Sequence, residues 1–74
     1  MNKEQKKEMK SKLKSVEETL KILYLQEANL LEAIGKHPHD HEAQDLWVQE
    51  IFITAGYICR LENACKVMRE LLKK

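Results

Sequence analysis

Apolar residues recur along the first half of this chain at alternating steps of three and four: Met9, Leu13, Val16, Leu20, Leu23, Leu30 and Ile34, with Glu27 in the one polar slot. Such spacing keeps side chains on one stripe of an α-helix, so it predicts an amphipathic helix over about residues 3–34. Tyr24, Ala28 and Leu31 widen the stripe, as in a helix that faces more than one neighbour. The second half repeats the pattern with Trp47, Ile51, Ile58, Leu61, Cys65, Met68 and Leu72, Thr54 filling the missing slot. A second helix is therefore expected over about residues 41–73.

Between them, Gly35-Lys36-His37-Pro38-His39-Asp40 is the one concentrated run of helix breakers. Gly35 is the expected C-terminal stop, 35–40 the turn, Asp40 the N-cap of the second helix, and Glu42 a carboxylate at the positive end of its dipole. Lys73 and Lys74 suit the other end. Each helix would run about 45 Å at 1.5 Å per residue. Equal lengths about a short turn make an antiparallel two-helix hairpin, an all-α fold with residues 1–74 as one domain.

On a helical wheel, Trp47, Val48, Ile51, Phe52, Ala55, Ile58 and Cys59 form one arc, taken as the face packed against helix 1. Leu46, Ile53 and Tyr57 fall on the opposite side of helix 2, and Ile22 and Leu25 project away from the stripe of helix 1. With the turn near 37 and 38, residue i lies level with about 75 minus i, which sets Ile22 beside Ile53. A coincident cluster of outlying apolar side chains marks a partner surface, so Ile22, Leu25, Leu46, Ile53 and Tyr57 are the candidate partner-binding residues. Gly56 within helix 2 is either tolerated or a place where another backbone approaches.

Composition changes this picture little. The 74 residues carry 13 Lys and Arg against 12 Asp and Glu, a formal charge of +1 and not the one-sided excess of a nucleic-acid binder. The first 14 residues are locally basic, with Lys3, Lys6, Lys7, Lys10, Lys12 and Lys14 read as a solvated helix end. No apolar run approaches the ~18 residues of a membrane span and the first residues lack a signal peptide's apolar segment, so a cytoplasmic protein is expected. Cys59 and Cys65 point away from each other on one helix and are expected as packed, reduced thiols.

Candidate chemistry is sparse. His37, His39 and His41 with Asp40 are possible zinc or nickel ligands, but their spacing matches no metal signature, and a solvated turn is the reading preferred over a metal site. Those imidazoles would add positive charge at the tip below about pH 6.5. No phosphate loop, HExxH, CxxC or nucleophile-base pair is present, and so short a chain leaves little room for a cleft. No cofactor and no catalysis are expected. Trp47 reads as a core anchor.

The segment Glu42-Ala43-Gln44-Asp45-Leu46-Trp47-Val48-Gln49-Glu50 and the apolar helix running on to Leu71-Leu72-Lys73-Lys74 resemble the small YscE/SsaE/EscE-type co-chaperones of type III secretion systems. The resemblance implies a hairpin that binds a TPR-like helical chaperone and, with it, keeps the needle subunit soluble until export. The histidine-rich turn and the lysine-rich start are departures from that pattern. Without a partner the hairpin would complete itself by self-association. The alternative is a dimeric four-helix bundle acting as a regulatory or RNA-binding adaptor through the lysines of helix 1; it requires a basic stripe continuing through one face of that helix, whereas the lysines fade after Lys21 and Glu17, Glu18, Glu27 and Glu32 intervene.

Overall fold

The structure, a computed structural model, describes every residue from Met1 to Lys74. Two helices, α1 (Lys3–Lys36) and α2 (His41–Lys73), lie against each other as an all-α hairpin with no strand. The rod measures 56 × 14 × 13 Å.

Local sequence accounts for each helix end. Asn2 caps α1: its side chain accepts from the Gln5 N–H at 2.8 Å while the Gln5 side chain accepts from the Asn2 N–H at 3.2 Å, a reciprocal capping box. Asp40 caps α2, accepting from the Ala43 N–H at 3.1 Å. Helix α1 ends differently from the expectation placed on Gly35, for it runs through Gly35 and Lys36 with no residue at positive φ. Pro38 is the terminator. A residue before proline is pushed out of the helical region, and His37 sits there at φ −127°, ψ 61°. The Asp40 N–H then donates to the His37 carbonyl at 3.3 Å, closing a tight turn, and the Gln44 side-chain amide donates to the same carbonyl at 2.9 Å.

The alternating steps of three and four define the packing. Taking Leu13 and Ile51 as heptad position a and Met9 and Trp47 as d, every a and d residue on both helices is buried or half-buried. The buried set is small: Leu20, Thr54, Ile58 and Cys65, with Leu13, Val16, Leu23 and Leu61 packed around it. Four buried residues make a thin seam rather than a domain core, so the hairpin carries little apolar stabilisation of its own. Cys65 anchors the seam at 1% exposure.

Two expectations of the sequence are corrected by this seam. The arc assigned to the core was centred too far round the helix, and Val48, Phe52, Ala55 and Cys59 are exposed, Phe52 at 74%. Cys59 is thus a surface thiol while Cys65 is a core one. Tyr24, Ala28 and Leu31, read as widening the stripe of α1, are likewise exposed. A single neighbouring helix about 10 Å across covers only the a and d positions and part of the flanks, which leaves the wider arc to solvent.

Candidate partner-binding surface

An antiparallel helix pair places e positions opposite e positions on one side and g opposite g on the other. Both interhelical polar contacts obey this. The Tyr24 hydroxyl donates to Glu62 at 2.9 Å, and Arg69 pairs with Glu17 at 3.3 Å, all four being e residues. Accepting from Tyr24, the Glu62 carboxylate raises the phenol pKa above its ordinary 10.0, with weaker help from desolvation and from the charge of Glu62. Level pairing at 75 minus i would have set Tyr24 beside Ile51 and Glu17 beside Ile58. Side chains lean toward the N-terminus of their own helix, so in a hairpin the tips on α1 and α2 slant in opposite directions and meet farther from the turn. Ile22 accordingly leans toward the open end of the rod and Ile53 toward the turn.

The five candidate residues are all exposed: Ile22, Leu25, Leu46, Ile53 and Tyr57, with Leu46 at 64% and Ile53 at 56%. Ile22, Leu46, Ile53 and Tyr57 occupy c and g positions and share one side of the hairpin. Leu25 stands apart on the back of α1. On the back of α2 a shallow groove of about 280 Å³ runs across Gly56 between Phe52, Ile53, Tyr57 and Arg60. A β-carbon added at Gly56 would meet nothing within 4 Å, so packing within the chain does not require glycine there.

Sequence reasoning missed the other side. At the e and b positions nearest the turn stand Tyr24, Ala28, Leu31 and Gly35 of α1 with Val48, Phe52, Ala55 and Cys59 of α2, all exposed and uncharged, and Asp45 as the one charged residue among them. Toward the open end the same positions become Lys3, Lys7, Lys10, Lys14 and Lys21 of α1 and Lys66, Arg69 and Lys73 of α2. The signal was present in the heptad frame, which separates flanks that a single wheel arc merges.

At the turn, the His37 ring lies 5.8 Å from the Trp47 ring at a tilt of 44°. Trp47 is half-buried at the head of the seam. The histidines do not gather with other donors into a group of three able to hold a metal ion. No helix is long and apolar enough to cross a membrane. Comparison with protein families, with curated proteins and with solved structures finds no match.

Proposed function

We propose that this hairpin is a non-catalytic, cytoplasmic protein-binding module of the type III secretion co-chaperone kind, joining a TPR-like helical chaperone to keep the needle subunit soluble before export. The observation that carries the reading is the stretch from Ile51 to Cys59. It has no charged residue, yet α1 covers only Ile51, Thr54 and Ile58 of it. A helix apolar on every side is stable in water only when other helices surround it, and a helical-repeat chaperone offers a concave helical surface for that purpose. Ile22, Leu46, Ile53 and Tyr57 form the contact on one side, with Leu25 at its margin; self-association covers the same residues when the partner is absent. No residue is assigned to catalysis, a cofactor or a metal.

Co-expression with a TPR-like needle chaperone and a needle subunit of a type III secretion system tests the proposal. A stoichiometric complex, with the needle subunit insoluble when the hairpin is omitted, is the expected result. A needle subunit that stays soluble without the hairpin would remove the function.

A further inference from the structure

Charge along the rod is sorted end to end. Residues 1–14 and 66–74, which the antiparallel fold brings together at the open end, carry ten cations against three carboxylates; residues 15–65 carry three against nine. The near-neutral total of +1 is thus +7 at one end offset by −6 over the remainder. On the side formed by the e and b positions the sorting is sharper still. Eight cations stand toward its open end, and eight uncharged residues toward the turn, where Asp45 is the one charge; the other carboxylates, Glu17 and Glu62, are engaged by Arg69 and Tyr24 at the boundary.

We infer that this side is a docking groove for an acidic amphipathic helix of another protein, whose apolar stripe seats beside Tyr24, Leu31, Val48 and Phe52 and whose carboxylates lie along Lys10, Lys14, Lys21 and Lys66. The site goes beyond the proposed function: it shares the uncharged stretch of α2 and meets the groove of Ile53 and Tyr57 at Phe52, but Tyr24, Leu31, Val48 and the lysines lie on the e and b side, away from Ile22, Leu46, Ile53 and Tyr57. At the boundary the groove opens to about 510 Å³ between the helices, floored by Leu20 and Cys65 and flanked by Lys21 and Lys66. Small exposed residues at Ala28, Ala55 and Cys59 stand among the large apolar ones, and small side chains let a third helix approach closely.

Other occupants fit less well. A second copy meeting this face about a two-fold axis along the rod sets lysines on lysines, and about an axis across the rod sets lysines on apolar side chains. Either arrangement is opposed by repulsion or by desolvation. Single-stranded nucleic acid is held where aromatic rings alternate with cations, whereas Tyr24 and Phe52 sit in the uncharged half. Helices that lie on membranes flank one apolar stripe with lysines along its length, instead of following an apolar half with a basic one.

Selection of a displayed library of 25-residue helical peptides against the full-length chain tests the inference. Enriched peptides are expected to carry an apolar stripe at one end and clustered Asp and Glu at the other. Their binding should vanish with Phe52→Glu and weaken at least about tenfold with Lys10→Glu, Lys14→Glu and Lys66→Glu combined, a surface change that circular dichroism should find harmless to the fold. The same triple variant, used as bait, should select basic ends in place of acidic ones. Recovery of no peptide, of peptides without acidic bias, or of peptides lost with Ile53→Glu but not with Phe52→Glu would overturn the groove while leaving the proposed function intact. Tighter binding of a 20-nucleotide uridine RNA or of phosphatidylserine vesicles than of any peptide would also overturn it, and assign the face to nucleic acid or to membrane.

Discussion

Single residues divide sharply between those the hairpin uses itself and those it leaves free. Ile53 and Ile58 are five positions apart in one helix, yet Ile53 is 56% exposed and Ile58 is in the seam. Ile58→Glu buries an unpaired carboxylate, costing several kcal/mol, a sum comparable with the whole stability of a small domain, and should abolish helicity. Ile53→Glu and Tyr57→Glu should keep the helices and lose assembly, which circular dichroism with size-exclusion chromatography would separate. Equal unfolding by Ile53→Glu and Ile58→Glu would show that the outlying group belongs to one continuous core. Tyr24 supplies a second residue-level test. Its folded pKa is raised, so the fold favours the protonated phenol; that contribution is present below the ordinary value of 10.0 and is lost as pH climbs through the raised one. In an absorbance titration Glu62→Gln should move one tyrosine midpoint downward. An unchanged midpoint would mean that the Tyr24–Glu62 bond does not persist in solution.

The two helices were legible as elements because strict steps of three and four leave few other foldings open, and because Pro38 and Asp40 carry their own stop and start chemistry. Two local features were readable but not read. Asn2-Lys3-Glu4-Gln5 has the side chains of a capping box, and a proline at 38 predicts the end of α1 better than the glycine at 35 does. The candidate surface was half legible: Leu46, Ile53 and Tyr57 stood out as outliers on the wheel, whereas Val48 and Phe52 fall in one apolar arc with Trp47, Ile51 and Ile58 and so pass for core. Separating them takes the a/d registration of both helices together, a tertiary property. Gly56 carries a prediction at this scale. Its φ is helical and the space beside it is open, so Gly56→Ala should stabilise the isolated hairpin by about 1 kcal/mol, seen as a rise in thermal midpoint. Should a partner backbone approach there, the same variant must weaken the complex while strengthening the free chain. An unaltered complex would assign the glycine no part in binding.

For the molecule as a whole, one long seam and two uncovered flanks mean that stability and association are not separate properties. A 56 Å rod only 13 to 14 Å thick has almost no interior. Isolated at micromolar concentration, the chain should be helical and oligomeric by sedimentation equilibrium, with a melting temperature that rises with concentration. A monomer with a concentration-independent midpoint would remove the reason for a second contact surface.

The sorting of charge along the rod also decides how the protein behaves in the column and the test tube. A net charge of +1 predicts indifference to ion exchangers at neutral pH, yet a resin senses the nearest face of a molecule and not its sum. Ends separated by several screening lengths at ordinary salt present themselves independently. The same preparation should therefore be retained by both a sulfonate and a quaternary-amine resin in one buffer of ~0.05 M salt, where the screening length is still well short of the rod, and neighbouring rods should attract one another lengthwise as the salt is withdrawn, turning a nearly neutral solute into one whose solubility is governed by ionic strength.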